Sequence, residues 1–100
     1  LSEKLAKLYG VRQTAQGTLF VQPLNGARRL AIAGDFNDWS PQATPFQRNE
    51  QLDVWEACVP LKPGKYHYRL VADEKWMNDP HNRRTESNPF GQVNNVVEVG

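Results

Sequence analysis

A chain of 100 residues, 39% of them hydrophobic, can form one compact domain with a single core, which excludes a large barrel enzyme with a separate substrate domain. The 12 Lys and Arg residues against 11 Asp and Glu residues leave a formal charge of +1, and no long block of either sign occurs. This balance argues against nucleic acid as a partner. No apolar run approaches the roughly 18 residues that a bilayer-spanning segment needs, so we expect no membrane partner either.

The first ten residues, LSEKLAKLYG, carry the helical pattern of this chain. Their three leucines fall on one stripe of a helix, and Gly10 can end it. We therefore predict a short N-terminal helix or linker at residues 1–10, followed by a β domain at residues 11–100. Because residue 1 is leucine rather than methionine, we expect the chain to be part of a larger multidomain protein.

After this segment, short runs of β-branched and aromatic residues recur between Gly, Pro, Asn and Asp, which is typical of strands. The runs VRQT and TLFVQPL flank Gly17, which suits a hairpin loop, and NGA turns the chain into RRLAIAG. Trp55, Ala57 and Val59 then alternate with polar residues. The following KPGK suits a type II turn and predicts a hairpin with the next strand.

The chain has a single cysteine, Cys58, so no internal disulfide can form. It stands inside the alternating apolar stretch, and we predict a buried, inert thiol. The absence of paired cysteines suits a reducing compartment, and we expect a cytoplasmic location.

In the strand KYHYRLVAD, Tyr66, Tyr68 and Leu70 share one face, whereas His67 and Arg69 share the other. The first set should face the core. A turn near residues 73–74 leads to KWMNDP, and the chain ends in the strand VNNVVEV. About seven short strands with this spacing predict an all-β fold, a β-sandwich with a short N-terminal helix.

Three aromatic residues lie where a chain usually turns in solvent. Trp39 follows GDFND, Trp76 precedes MNDP, and Phe90 lies in the polar loop NPFGQ, whereas Trp55 obeys the strand alternation and should be core. Each loop tryptophan either folds back as a plug over the core or stays exposed, and the pattern alone leaves both open. An exposed indole is a rigid platform for the apolar face of a pyranose ring.

A sugar on such a platform needs hydrogen-bond partners for its hydroxyl groups. Arg69, on the outward face of its strand, offers a fork of donors. Asn94 or Asn95 offers both a donor and an acceptor to neighbouring hydroxyls. This set of side chains matches the chemistry of a polyol.

Three motifs in the same order, GDFNDWSP, GKYHYRLVADEKWMNDP and NPFGQVNNVVEV, resemble the glycogen- and starch-binding domains of carbohydrate-binding module family 48. This family includes the glycogen-binding domain of AMP-activated protein kinase β subunits and the N-terminal domains of isoamylases and branching enzymes. The resemblance covers residues 18–99. It implies an immunoglobulin-like β-sandwich of the early-set type that binds α-1,4-linked glucan, with glycogen, starch, maltooligosaccharides and cyclodextrin as partners.

Carried onto this sequence, the resemblance makes Trp39 and Trp76 the two stacking residues, with Asn94 completing the site. Arg69 falls where the kinase-type domains carry a lysine that binds sugar hydroxyls. Phe90 falls at a leucine that projects from a loop against the curved glucan. Arginine differs from lysine in reach and geometry, and phenylalanine makes a broader wedge that could alter the preference between linear and cyclic or branched glucans.

The sequence offers no set of residues for catalysis, a metal or another cofactor. The two histidines lack zinc-site spacing, and no nucleophile elbow or phosphate loop is present. The aspartates that could be imagined as a glycosidase pair all lie in turns, where aspartate caps its own backbone: Asp35, Asp38, Asp73 and Asp79. We therefore predict no enzymatic activity for this chain.

Two functions of different classes remain. The first is a non-catalytic carbohydrate-binding module that targets a larger parent protein to glycogen, starch or maltooligosaccharides. The alternative is a structural or protein-docking sandwich of a glucan-metabolising enzyme or regulatory protein, with little glucan affinity of its own. Both loop tryptophans and Asn94 are present together, which favours binding.

Overall fold

The computed structural model describes residues 9–23 and 26–100. The helix predicted for residues 1–10 therefore lies, except for its last two residues, outside the described residues. The described segments form β1 (Gly10–Thr14), β2 (Gly17–Pro23), β3 (Leu30–Gly34), β4 (Gln47–Asn49), β5 (Val54–Val59), β6 (Gly64–Ala72), β7 (Lys75–Met77), β8 (Thr85–Ser87) and β9 (Val93–Val99). A short 3₁₀ turn at Asp35–Asn37 follows β3.

The strands form two antiparallel sheets, which confirms the predicted all-β sandwich. The first sheet has the order β1-β2-β5-β4, and the second has the order β3-β6-β9-β8, with β7 paired to β6. The predicted β1–β2 hairpin is confirmed, but its loop is residues 15–16, and Gly17, predicted in the loop, is the first residue of β2. Asp73 and Glu74 join β6 to β7 with positive φ values of 48° and 70°, as a two-residue type I′ turn requires.

Aromatic and aliphatic side chains from both sheets fill the space between them. The rings of Phe20 and Tyr68 meet edge to face, with their centroids 5.0 Å apart. Trp55 is 5% exposed and Tyr68 is fully buried, so both core predictions are confirmed, while Tyr66 is half-buried against the same cluster. The cluster consists of Phe20, Leu30, Ile32, Phe46, Trp55, Ala57, Tyr68, Leu70 and Val97.

A buried carboxylate links the two sheets beside this core. Asp79 is 3% exposed and accepts hydrogen bonds from Gln22 Nε2 at 2.8 Å, from the Tyr68 hydroxyl at 2.7 Å and from the His81 amide at 2.8 Å. Gln22 belongs to the first sheet and Tyr68 to the second. Burial raises the pKa of the Tyr68 hydroxyl, and the neighbouring carboxylate adds to the shift. Asp79 does cap its own turn as predicted, but it also ties the sandwich together.

The prediction for Cys58 is wrong, because its side chain is exposed. Its neighbour Ala57 faces the core, and successive residues of a strand point to opposite sides. Cys58 therefore lies on the outer face of the first sheet, opposite Leu19 of β2.

The hairpin predicted from KPGK is also wrong. The chain does turn there, but β5 pairs with β2 and β4, whereas β6 pairs with β3, β7 and β9. The segment between β5 and β6 therefore crosses from one sheet to the other. Turn-forming residues show where a chain reverses, whereas the strand pairing depends on which edges the other strands occupy.

Candidate functional site

The outer face of the second sheet brings together three of the residues predicted to bind ligand. Arg69 points away from the core because its neighbours Tyr68 and Leu70 point into it. Trp76 pairs with Val71 in the register, and directly paired residues share a face. Asn95 pairs with the core residue Tyr68, so its neighbour Asn94 lies on the outer face, where only 7% of it is exposed.

The loop that follows β3 places Trp39 beside this face. Asn37 holds the loop in three ways: its side-chain oxygen accepts from the Gly34 amide at 3.0 Å, and its amide donates to the Ile32 carbonyl and the Thr44 hydroxyl, both at 2.9 Å. The Trp39 amide donates to the Gly34 carbonyl at 2.9 Å. These contacts explain why the polar motif GDFNDWSP forms an ordered turn with a tryptophan at its end.

The backbone of this loop is strained where it presents the indole. Asp38 and Trp39 have φ values of 55° and 58°, in the left-handed region that bulky residues rarely adopt. Such a conformation costs on the order of 1–2 kcal/mol per residue. The contacts of Asn37 hold the loop in this conformation, and the half-buried Trp39 side chain is thereby turned towards β6 and β9.

Trp39 and Trp76 line one depression of about 460 Å³, together with polar side chains from the second sheet and the loop after β8. Trp76 is 42% exposed, so its side chain is not folded back over the core as a plug. The remaining lining residues are Arg69, Asn88, Gln92 and Asn94. Four of the five residues predicted from the sequence thus lie around a single depression.

Phe90 lies apart from this depression, at the tip of the loop between β8 and β9. Its side chain is 89% exposed. Asn88 shapes the loop, because its side-chain oxygen accepts from the amides of Phe90 and Gln92, both at 2.9 Å. The Gln92 carbonyl in turn accepts from the Asn88 amide at 2.7 Å. Phe90 therefore projects into solvent from a well-bonded loop.

A second depression, of about 430 Å³, adjoins the first and shares Trp39, Asn88 and Asn94 with it. Phe90, Pro89 and Ser87 lie on one side of it, and Asp35 and His67 lie on the other. The five predicted residues thus line two adjoining depressions on one face of the sandwich.

Charged side chains form a continuous chain along the second depression. Asp35 Oδ1 accepts from the Trp39 indole nitrogen at 3.2 Å, and Asp35 Oδ2 lies 3.0 Å from His67 Nδ1. The other ring nitrogen of His67 lies 2.8 Å from Glu86 Oε1. Glu86 also forms an ion pair with Lys65.

These contacts shift two pKa values in opposite directions. The hydrogen bond to Glu86 is the main cause that raises the pKa of His67, and Asp35 adds to it, while partial burial opposes the shift. The hydrogen bonds from Lys65 and then from His67 lower the pKa of Glu86. His67 is therefore held in its charged form over a wider pH range than a free histidine.

Within residues 9–23 and 26–100, no three His, Cys, Asp or Glu side chains are grouped so that they could hold a metal ion. The same residues include no helix with the length and apolar character that a membrane span would need.

Six residues that line the depressions were not among the sequence-based candidates: Asp35, His67, Ser87, Asn88, Pro89 and Gln92. Asn88 and Gln92 each lie two residues from Phe90 in the same loop, and the turn-forming residues NPFG were a signal for Asn88. Asp35 and His67 are separated by 32 residues and meet through the pairing of β3 with β6. Nothing in the local sequence pattern indicates that contact.

The chain is similar to a known protein family and to several known enzymes. It matches the family described as the glycogen recognition site of AMP-activated protein kinase over residues 18–100. Similar proteins include the 1,4-alpha-glucan branching enzymes of Nitrosococcus oceani, 37% identical over 73% of this chain, of Ralstonia nicotianae, 32% identical over 86%, and of Xanthomonas axonopodis pv. citri, 38% identical over 70%.

The chain spans only 10%, 13% and 9% of the length of these three enzymes. What it shares with them is therefore one domain, and the family match covers most of the described sandwich. The chain belongs to the carbohydrate-binding module family that is described as the glycogen recognition site of AMP-activated protein kinase.

Proposed function

We propose that this domain binds α-1,4-linked glucan through its two loop tryptophans and thereby targets a larger parent protein to glycogen or a similar polymer. The observation that carries the proposal is the position of Trp39 and Trp76 on one depression whose remaining lining is polar. An apolar platform surrounded by amide and guanidinium groups suits a sugar, which has apolar C–H faces and a ring of hydroxyls.

Each group around the depression has a separate role in this proposal. Trp39 and Trp76 stack against successive glucose units, and Arg69 and Asn94 bind hydroxyl groups at the edge of the platform. Phe90, 89% exposed on its loop, contacts the curved face of the glucan. A solvent-exposed aromatic side chain of this size gains from covering a ligand, because its apolar area then leaves water.

The strained backbone at Trp39 supports the same proposal. Left-handed, non-glycine residues persist where the surrounding contacts hold them, and they concentrate at ligand-binding positions. The contacts of Asn37 fix Trp39 in this conformation before any ligand arrives. A platform that is ordered in advance loses less conformational entropy when glucan binds.

The expected affinity is modest. Two stacked rings contribute about 1 kcal/mol each beyond the area that they bury. A few hydrogen bonds of about 1 kcal/mol net each add to this, against the loss of translational and rotational freedom. We expect a dissociation constant on the order of micromolar to millimolar.

Calorimetric titration with maltoheptaose and β-cyclodextrin tests the proposal. We expect Trp39→Ala and Trp76→Ala each to weaken binding about tenfold or more while circular dichroism shows a folded sandwich. Alanine at position 39 keeps the same backbone strain, so this variant isolates the ring. Leu52→Ala is the matched control, since Leu52 is 43% exposed and lies outside both depressions.

The same titration distinguishes glucan binding from the alternative function, a structural or protein-docking sandwich. If the folded wild-type domain shows no saturable binding up to several millimolar glucan, the glucan-binding proposal is wrong. The domain is then a docking sandwich whose partner belongs to the parent protein.

A further inference from the structure

A line of four charged side chains ends at one of the two tryptophan platforms. Lys65 pairs with Glu86, Glu86 contacts His67, and His67 contacts Asp35. Asp35 then accepts the indole N–H of Trp39 at 3.2 Å. None of these four residues is needed to explain stacking or hydroxyl binding, yet the line ends in a hydrogen bond to the Trp39 ring.

The central position of this line requires a charged histidine. Nδ1 of His67 lies 3.0 Å from Asp35 Oδ2, and Nε2 lies 2.8 Å from Glu86 Oε1. A neutral imidazole carries a proton on one nitrogen only, so it can donate to one carboxylate and must face the other with a lone pair. Only the imidazolium satisfies both contacts at once.

We propose that His67 is a positioning residue of the glucan site, whose protonated ring holds Asp35 against the indole N–H of Trp39, so that glucan binds more tightly when His67 is charged. This inference rests on the proposed function and names a regulation of the same site. His67 acts through Asp35 and Trp39 and is not assigned a contact with the sugar.

The contacts of Asp35 explain why loss of the His67 ring proton should weaken glucan binding only partly. Asp35 Oδ2 also accepts from the His67 backbone amide at 2.7 Å, and this bond does not depend on the charge of the ring. The loop backbone is held separately by Asn37. Loss of the ring proton therefore loosens the indole without unfolding the loop, and we expect about a threefold to tenfold loss of affinity.

The charges around His67 favour the protonated ring. The 3₁₀ turn presents Asp35 and β8 presents Glu86, while the residue opposite His67 on β9 is the uncharged Val96. On β6 itself, Lys65 is paired with Glu86.

The other side chains near the ring are neutral or bonded elsewhere. The Arg69 Nε donates to Asn78, and β3 brings Gly34 alongside Tyr68 rather than a charged group. The residues that share the depression from β8, β9 and the loop between them are uncharged: Ser87, Asn88, Pro89, Phe90 and Asn94. Two carboxylates thus face the ring directly, which agrees with the raised pKa of His67.

The test is a titration of the intact domain with maltoheptaose at several values between about pH 5.5 and about pH 9, a range that spans histidine ionisation. Maltoheptaose has no titrating group in this range, so any pH dependence belongs to the protein. We expect the wild-type affinity to fall with rising pH. The fall should lie between the His67 pKa of the free domain and that of the glucan-bound domain, both measured from the imidazole resonances by NMR.

Three variants separate positioning from general destabilisation. His67→Gln should bind at every pH about as weakly as the wild type does at the alkaline end. Glu86→Gln removes the main cause of the raised pKa and should move the midpoint to lower pH. Trp76→Ala should weaken binding at all pH values but keep the wild-type ratio between acid and alkaline affinity, because Trp76 is not linked to His67.

A second readout follows the platform without any sugar. The Trp39 indole N–H resonance of the free domain should shift with the same midpoint as the His67 ring. If the wild type binds glucan with an affinity that does not change with pH, the inference is overturned while the proposed function stands. If the wild type binds no glucan at any pH, the proposed function itself is overturned, and the inference with it.

Discussion

The Nε of Arg69 donates a hydrogen bond to the side-chain oxygen of Asn78, 3.2 Å away, at the wall of the tryptophan depression. This contact uses one of the five N–H donors of the guanidinium and fixes the plane of the group. Among the described residues, the two terminal nitrogens of Arg69 have no hydrogen-bond partner. They are therefore free to bind the hydroxyl groups of a ligand.

Arg69→Met should weaken maltoheptaose binding about threefold to tenfold, because it removes one or two hydrogen bonds of about 1 kcal/mol each but keeps much of the side-chain volume. Calorimetry measures the effect. Asn78→Ala is the matched variant, because it leaves the Arg69 guanidinium in place but removes the hydrogen bond that orients it. We expect a smaller loss of affinity. An Arg69→Met domain that binds as the wild type does would remove Arg69 from the site.

Phe90 should matter for binding and not for folding. At 89% exposure, its replacement by alanine should change the free energy of unfolding by less than about 0.5 kcal/mol. The same change should weaken binding of β-cyclodextrin, whose curved surface the ring is proposed to contact. Urea denaturation and calorimetry measure the two effects. Asn88→Ala, which removes the acceptor of two loop amides, should also weaken binding although Phe90 is still present.

The strand alternation predicted which side chains of β6 reach the site and which reach the core. Because successive residues point to opposite sides, the aromatic pair of tyrosines in KYHYRLVAD forces Arg69 outwards. The two-residue turn after Ala72 then carries Trp76 back along the same outer face. The outward position of Arg69 and the turn needed only the period of a strand and the chemistry of turn residues, whereas the pattern left Trp76 either exposed or folded back over the core.

Other features depend on contacts between distant segments, which the local pattern does not contain. Cys58 was placed wrongly because its thiol was taken as apolar, although the alternation that puts Trp55 and Ala57 in the core puts Cys58 on the other face. The hairpin after β5 was wrong because strand pairing is decided by the sheets as a whole. The line from Lys65 to Trp39 joins β6, β8 and the loop after β3, so only the folded chain brings it together.

Asp79 should be among the most important residues for stability. Its replacement by alanine leaves three donors without their acceptor, two of them side chains in the sandwich interior, Gln22 and Tyr68. Each unsatisfied buried donor costs about 1–3 kcal/mol, so we expect a total loss of roughly 3 kcal/mol in the free energy of unfolding. Urea denaturation measures it. Glu50→Ala, at an exposed position, should be nearly neutral, and an equally small effect at Asp79 would refute the structural role.

The stability of the domain should depend on pH through His67 and Glu86 with opposite signs. The pKa of His67 is raised on folding, chiefly by Glu86, so its contribution is fully present below the ordinary histidine pKa and is lost as pH rises through the folded value. The pKa of Glu86 is lowered, chiefly by Lys65, so its contribution is present above the ordinary glutamate value. That contribution is lost as pH falls through the folded value.

The urea midpoint should therefore fall as pH rises from the ordinary histidine pKa through the raised value of His67, and again as pH falls from the ordinary glutamate pKa through the lowered value of Glu86. His67→Gln should remove the fall of the urea midpoint at alkaline pH. It should leave most of the fall at acid pH, because Lys65 still bonds Glu86. Lys65→Met should reduce the fall of the urea midpoint at acid pH. The fall at alkaline pH should remain, since the contacts of His67 with Asp35 and Glu86 do not involve Lys65. Identical alkaline profiles for the wild type and His67→Gln would show that His67 keeps the same proton affinity in the folded and unfolded chains, contrary to the two-carboxylate contact.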